Sequence, residues 1–314
     1  MGHWAQARQI GPYWGMRLVL LLYRLFGFRL CMLVLYPVVI FYWLINRPAR
    51  QASLQYLERL KAWDPDVPVR ASLWFSLQHF AAFTAAMLDK LASWNGDIAI
   101  EDVSFYGRDE FMAIASDAEH GRGGVILGSH LGNLEICRAL ASLNNRARLN
   151  VLVHTKHART FNRLLDDISD NNQVRLIEVT EISPAIAILL QQKITQGEIV
   201  CIVGDRVPVK STGRTVRADF LGHKAHFAQG PFILAALLKC PVYTLFCLKK
   251  QGRYHLYFEP FAEQMKLVRK NREASIQAYV MQYAARMEDC CRQAPLQWFN
   301  FYPYWQDFDK PEQD

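Results

Sequence analysis

Two different spacings of apolar residues divide the chain. Up to about residue 95, apolar positions recur every three or four residues, as in RQASLQYLERLKAW (50–63) and RASLWFSLQHFAAFTAAMLDKLASW (70–94). This spacing predicts amphipathic helices. Beyond residue 97, short apolar runs alternate with stretches of helical length, which indicates an α/β core with ligands at the carboxyl ends of the strands.

The second part of the chain contains seven strand-like runs and six helix-like runs. The strands are predicted near 103–107, 123–129, 149–154, 174–179, 198–204, 241–248 and 254–259. The helices are predicted at 108–118, 133–144, 158–169, 183–196, 228–239 and 271–292. With no internal repeat or low-complexity linker between them, these elements indicate one α/β domain over residues 51–305, followed by an acidic polar tail at 306–314.

The N-terminal segment is apolar enough to suggest a membrane. Residues 30–45 are sixteen uncharged residues interrupted by Pro37, which is short of the roughly twenty residues that a span needs. A cleaved signal peptide is disfavoured, because the apolar stretch is long and NRPARQAS is a poor cleavage site. A buried helical hairpin and a membrane-associated helix or re-entrant hairpin both remain. Aromatic residues and arginines able to reach phosphates favour the membrane, and we assign residues 1–50 to this segment.

Composition narrows the class of partner. The chain has 36 Lys and Arg against 29 Asp and Glu, a net charge of +7, which suits an anionic partner such as lipid head groups or an acidic protein. The seven cysteines show no repeated spacing and are interpreted as reduced residues of a protein facing the cytoplasm. The pairs His154/His157 and His223/His226 lack an accompanying thiol or an H-E-x-x-H helix, so no metal site is predicted.

One polar cluster follows the predicted strand at 123–129. His130 lies at its carboxyl end, Asn133 is a favoured helix cap, and Glu135 lies in the first turn of the next helix. A carboxylate there can fix the imidazole tautomer and leave the other nitrogen to take a proton from a hydroxyl. Amides at the helix start can stabilise an oxyanion. These parts suit acyl transfer to an alcohol, but the spacing alone is also compatible with a polar corner.

The stretch SHLGNLE resembles the His-x4-Asp/Glu signature of the glycerolipid acyltransferase superfamily. More specifically, it is similar to the SHxGNxE form of the bacterial lipid A late acyltransferases, the lauroyl and myristoyl transferases. The stretches HARTFNRLLDD (157–167), VGDR (203–206) and FLGHKAHFAQGPFILAALLKCPVYTLF (220–246) resemble the later blocks of that family. The resemblance covers roughly residues 10–300 and implies a mixed, mostly parallel sheet flanked by helices, behind a membrane-associated N-terminal helix. The ending PLQWFNFYPYW (295–305) departs from the lipid A enzymes, which puts the acceptor in doubt.

The resemblance also implies site residues. His130 would be the general base and Glu135 its orienting carboxylate. The substrate-binding residues would be Asn133, Arg159, Asn162, Asp205, Arg206 and His226.

The segment 206–226 carries five basic residues and one acid. Such a run is most often a solvated loop, but arginine here also suits the phosphate of a head group or of a phosphopantetheine arm. Asp205 would then hold Arg206 in place.

The function predicted from the sequence is O-acyl transfer at the cytoplasmic face of the bacterial inner membrane. The family implies a donor that is acyl carrier protein or a coenzyme A thioester, and a lipid acceptor such as a lipid A sugar. No other cofactor and no nucleic acid is expected. Two alternatives stay open: a catalytically inactive lipid-binding or scaffold protein, and a lipid hydrolase on the same fold.

Overall fold

The structure is a computed structural model of the 314-residue chain. It describes residues 13–95, 97–98, 100–117, 123–133, 148–153, 174–179, 183–207 and 214–305. The predicted helices at 133–144 and 158–169 fall outside these ranges. The other predicted helices and all seven predicted strands are confirmed, with bounds that shift by a few residues.

Three helices form the N-terminal part. They are α1 (Tyr13–Ile45), α2 (Arg47–Trp63) and α3 (Leu73–Asn95). Within α1, Gly27 has a non-helical backbone with φ 68° and ψ 179°, so the helix is broken there. Asn46 begins α2, because its side chain accepts a hydrogen bond from the Ala49 amide at 3.2 Å. Among the described residues, one helical stretch, Leu21–Ile45, is long and apolar enough to cross a membrane, with a mean hydropathy of 2.1.

The centre of the molecule is a seven-stranded sheet. Its strands are β1 (Val103–Tyr106), β2 (Val125–Gly128), β3 (Leu149–Val153), β4 (Val174–Glu178), β5 (Ile199–Val203), β8 (Val242–Lys250) and β9 (Arg253–Ala262). Two further strands, β6 (Thr215–Phe220) and β7 (His223–Ala228), form a separate hairpin. The spatial order is β1-β9-β8-β2-β5-β3-β4. All neighbouring pairs are parallel except the antiparallel pair β8–β9. The sheet is therefore mixed and mostly parallel, as the resemblance implied.

Helices cover both faces of this sheet. They are α4 (Arg108–Asp117), α5 (Pro184–Thr195), α6 (Gly230–Leu238) and α7 (Arg272–Gln293). The central strand β2 is buried at all four positions. Its residues alternate between two cores, with Val125 and Leu127 in the larger one and Ile126 in the one under α4. Burial on both faces explains why β2 has a continuous apolar run rather than an alternating one.

The basic segment after residue 206 is not simply a solvated loop. Residues 214–226 include the strand β6 (Thr215–Phe220) and the start of β7 (His223–Ala228), which pair as an antiparallel hairpin. Ala218, Phe220 and Ala225 are buried on one face while the charged residues occupy the other. The high charge of the outer positions hid the period-two alternation, so the interpretation of this part as a loop was wrong.

Two adjacent leucines on α5 test the position of the larger core. Leu190 is fully buried and Leu189 is 39% exposed. We expect Leu190→Ala to lower the free energy of unfolding by about 2–5 kcal/mol, because it leaves a cavity. Leu189→Ala should change it by less than about 0.5 kcal/mol. Urea unfolding in detergent, followed by circular dichroism, measures both, and equal losses would contradict this assignment of the buried face.

Candidate active site

Parallel pairing of β2 with β5 brings His130 to Asp205. In the register of this pair, Gly128 lies opposite Val203. Each side chain lies two residues beyond its strand, at the carboxyl edge of the sheet, where α/β proteins place reactive groups. The Nδ1 atom of His130 lies 2.8 Å from Oδ1 of Asp205.

The carboxylate of Asp205 accepts hydrogen bonds from two parts of His130 and from a tryptophan. Besides the imidazole contact, Oδ2 accepts the His130 amide at 2.9 Å and the indole Nε1–H of Trp298 at 3.1 Å. The Asp205 side chain is 1% exposed, whereas that of His130 is 35% exposed. The carboxylate is therefore enclosed and the imidazole can still be approached.

Burial and neighbouring charges change the pKa values of both members of this pair. Burial alone would raise the pKa of Asp205, but the hydrogen bonds from His130 and the nearby Arg206 cation hold it below its ordinary value. The pKa of His130 is lowered, first because the surrounding protein partly desolvates the ring and then because of Arg206, while Asp205 opposes this shift. At neutral pH the pair is therefore an ionised carboxylate and a neutral imidazole. Since a carboxylate only accepts, Nδ1 carries the proton and Nε2 carries the lone pair.

The segment after His130 is fixed between β8 and the chain around residue 298. The Gly132 amide donates to Gln297 O at 2.7 Å, and the Phe299 amide donates to His130 O at 2.9 Å. Gly132 has φ +69°, and a Cβ built there would lie 1.7 Å from the carbonyl oxygen of Cys247. Only glycine fits here, which explains the residue two positions after the histidine.

A second histidine, His79, is fully buried and contacts the backbone of Trp298. The Nε2 of His79 lies 2.9 Å from Trp298 O, and its Nδ1 lies 3.0 Å from the Ser53 hydroxyl. Burial lowers the pKa of His79 to about 4. The neutral ring must donate through Nε2, because Trp298 offers only a carbonyl, and it accepts from Ser53 through Nδ1. His79 thus ties α2 and α3 to the residue that donates to Asp205.

Arg206 is adjacent to the pair but also has a structural contact. Its Nη2 donates to Phe299 O at 2.9 Å. Burial lowers the pKa of the guanidinium, and Asp205 and Tyr302 oppose this. The buried cation therefore favours the unprotonated form of His130 and an anion near it.

Asn133 borders a small cavity beside the edge of the sheet that holds His130. Its side-chain amide lies 3.4 Å from Ala86 O on α3, and its backbone amide donates to Cys247 O at 3.0 Å. The cavity has a volume of about 120 Å³ and is lined by Ala82, Ala85, Ala86, Asp89, Gly132, Asn133, Cys247, Lys249, Tyr254, Gln297 and Phe299. The ion pair between Asp89 and Lys249, at 2.8 Å, forms part of its wall.

The backbone amides that follow His130 already donate hydrogen bonds to other groups of the protein. The Leu131 amide donates to the Ser129 hydroxyl at 3.1 Å, and those of Gly132 and Asn133 donate to Gln297 and Cys247. An oxyanion donor from this helix start would therefore come from amides after residue 133, which lie outside the described residues.

A comparison with family models identifies the kind of protein. Residues 76–307, about three quarters of the chain, match the model described as bacterial lipid A biosynthesis acyltransferase. The chain belongs to this family. A comparison with individual curated proteins gave no match. Family membership supports an acyltransferase of lipid A type in general, with an acyl donor and a lipid acceptor, in a family that is membrane-associated.

The site residues implied by the family resemblance fall into three groups. His130, Asp205, Arg206 and Asn133 lie at one edge of the sheet, as described above. His226 lies on β7, where Nδ1 is 3.2 Å from the Thr215 hydroxyl and Nε2 accepts from Arg217 at 3.3 Å. Glu135, Arg159 and Asn162 lie outside the described residues, so their roles stay predictions. Among the described residues, no cluster of His, Cys, Asp or Glu could hold a metal ion.

The candidate site contains three contributions that sequence reasoning missed. They are the Asp205 contact with His130, the indole of Trp298 and the buried His79. The contact between Asp205 and His130 could have been predicted, because VILGSH and IVCIVGD are two buried runs that each end in a polar side chain two residues beyond the strand. No pattern in the sequence pointed to Trp298 or His79, which lie 168 and 51 positions from His130. The aromatic ending mainly forms core, with Trp298, Phe299, Tyr302 and Tyr304 all buried.

Two glycines with positive φ test the constraint at Gly132. We expect Gly132→Ala to reduce acyl transfer by about 100-fold, because the Cys247 carbonyl must move and displaces His130. Gly252 has φ +81° with nothing within 4 Å of a built Cβ, so Gly252→Ala carries the backbone strain without the clash. It should keep near wild-type activity. Transfer rates of the two purified variants measure this, and equal losses would contradict the proposed clash.

Proposed function

We propose that this protein transfers a fatty acyl group from an acyl carrier protein or coenzyme A thioester to a hydroxyl of a membrane lipid or glycolipid. The acceptor would be lipid A-like, and the reaction would take place at the cytoplasmic face of the inner membrane. The observation that supports this best is the His130–Asp205 pair within a chain of the lipid A acyltransferase family.

The geometry of this pair suits a general base. Asp205 holds the proton on Nδ1, so the lone pair of Nε2 is available to an acceptor hydroxyl. The lowered pKa of His130 keeps the ring neutral near pH 7, which is the form that takes a proton. The 35% exposure of the side chain leaves room for the hydroxyl to approach.

The reaction needs no covalent enzyme intermediate. Nε2 of His130 removes the acceptor proton while the hydroxyl oxygen attacks the thioester carbonyl carbon. The tetrahedral intermediate then collapses, the carbon–sulfur bond breaks, and the imidazolium returns its proton to the departing thiolate. Asp205 stabilises the imidazolium that exists between these two steps, as a buried carboxylate does for other catalytic histidines.

The anionic parts of the substrates would meet the basic groups near this edge. Arg206 would favour the oxyanion or a phosphate through its charge. Arg159, Asn162, Asn133 and His226 are proposed as further substrate-binding residues from their positions in the family blocks. The net charge of +7 would attract either an acidic carrier protein or an anionic bilayer.

Purified protein tests the activity directly. Incubation in detergent with radiolabelled acyl carrier protein and a bacterial lipid extract should yield labelled lipid. His130→Ala should abolish the labelled lipid. Free fatty acid as the sole product would support the hydrolase instead. No product, or a product unaffected by His130→Ala, would contradict the proposed mechanism.

Two carboxylates are candidates for the group that orients His130. Since Asp205 accepts from Nδ1, we expect Asp205→Asn to lower kcat by about 10²–10⁴-fold. Asp205 raises the pKa of His130, so the acid limb of kcat/KM, which lies below 6.5 in the wild type, should move to still lower pH. The exposed Asp289→Asn serves as the matched control and should change neither quantity.

The variant Glu135→Gln tests the sequence prediction in the same assay. If Glu135 alone shifts the acid limb and Asp205→Asn leaves both kcat and the limb unchanged, Asp205 does not orient the base.

A further inference from the structure

The outward face of α1 is apolar over its whole second half. Between residues 30 and 45 the sequence has no charged residue. Its most exposed large side chains recur at three- and four-residue spacing and are 51–71% exposed: Leu30, Leu33, Val34, Val38, Phe41, Leu44 and Ile45. A soluble protein rarely leaves so long an apolar stripe in water.

The opposite face of α1 packs along α3. Tyr23 and Cys31 are buried with Leu88 and Ala92 near the end of α3. Further along, Val39 is buried with Phe80. Since one end of α1 meets the end of α3 and the other meets its start, the two helices are antiparallel.

This contact extends over most of the thickness of a bilayer. Beyond the break at Gly27 it runs from Phe28 to Trp43, whose Nε1 donates to the Ser76 hydroxyl at 3.2 Å. At 1.5 Å per residue, that length is about 23 Å, against about 30 Å for the hydrocarbon core.

The charges and contacts of α3 do not suit hydrocarbon. Asp89 on α3 forms an ion pair with Lys249 of β8 at 2.8 Å. The carbonyl of Ala86 faces Asn133, and His79 contacts Trp298. If α1 crossed the bilayer, α3 and the adjoining edge of the sheet would have to enter it too. Charged side chains and irregular backbone are costly there, so the packing favours α1 lying along the membrane surface.

The residues that border the apolar face are of the kinds that contact an anionic bilayer. The Trp43–Ser76 contact places the first turn of α3 beside the end of α1, where Leu73 and Trp74 are 58% and 59% exposed. Exposed aromatic residues of this kind favour the lipid–water boundary. Three exposed arginines flank the stripe and can contact lipid phosphates: Arg29, Arg47 and Arg70.

We propose that α1, from Leu30 to Ile45, together with Leu73 and Trp74, lies in the plane of an anionic bilayer rather than across it. An isolated amphipathic helix on a membrane turns a polar face to water. In this protein that side of α1 is covered by the rest of the domain, through its contact with α3. Because α3 contacts both α1 and the segment after His130, one helix layer lies between the membrane-facing helix and the base. Building on the proposed function, this orientation turns the edge of the sheet that holds His130 toward the bilayer that contains the acceptor.

Depth measurements on nitroxide labels separate this arrangement from a span. Cysteines introduced at Leu30, Leu33, Val38 and Phe41 are labelled in a Cys137→Ser background. Burial raises the pKa of the six described thiols, so they should react slowly. The same background without an introduced cysteine gives the residual signal. A label at Met281, which is 48% exposed on α7, is the water-facing control.

The protein is reconstituted into vesicles of phosphatidylcholine and phosphatidylglycerol, and depth is read from collisions with oxygen and a water-soluble nickel complex. We expect all four α1 labels at one shallow depth, about 5–10 Å below the head groups. A depth that changes by about 1.5 Å per residue would show a span. Dipolar broadening between labels, without oxygen access, would show a second copy on this face. Either result overturns the proposal.

A charge substitution gives an independent readout. Phe41→Glu should weaken binding to these vesicles at least tenfold, whereas Met281→Glu should leave it unchanged. Equal binding by both variants would contradict the proposal. Neither experiment uses an acyl donor, so a failure of the catalytic proposal would appear separately as lost transfer with unchanged depth.

Discussion

The buried carboxylate of Asp205 is the group on which the rest of the site depends. It accepts three hydrogen bonds, two from His130 and one from Trp298, in a position that is almost closed to water. A charge without these donors would be costly to bury, so the surrounding chain must hold them in place. The register of β2 and β5 supplies His130, and the contact between residues 130–132 and 297–299 supplies the indole. The imidazole of His130 is therefore oriented by the core of the domain.

The same network connects His130 to the N-terminal helices. His79 on α3 contacts Trp298 O and the Ser53 hydroxyl of α2, and Phe301 packs against Phe80 of α3. The other side of α3 is occupied by α1, whose outward face is apolar. One helix thus separates the edge of the sheet that holds His130 from the surface proposed to meet lipid. If both proposals hold, a domain anchored by α1 would keep the proposed base on the membrane side of the protein, where the acceptor hydroxyl stays in the bilayer.

The sequence predicts the fold better than it predicts the site. Central strands such as β2, which are buried on both faces, have continuous apolar runs, and all seven strands of the large sheet were predicted. The position of His130 at a strand end followed from the run in β2. The β6–β7 hairpin was missed because Arg217, Asp219 and Lys224 made a two-faced strand pair resemble a charged loop. The choice of Glu135 as the orienting acid came from local spacing. Asp205 is 75 residues away, and only the register of two strands brings it to Nδ1.

The protonation of the two ring nitrogens of His130 is the most direct test of the central claim. Nitrogen-15 NMR of histidine-labelled protein in detergent at pH 7.5 distinguishes them, and the His130→Gln spectrum assigns the signals. The account predicts a neutral ring with the proton on Nδ1 and the lone pair on Nε2, and loss of this preference in Asp205→Asn. A proton on Nε2 with an unprotonated Nδ1, or a ring charged at that pH, would contradict it.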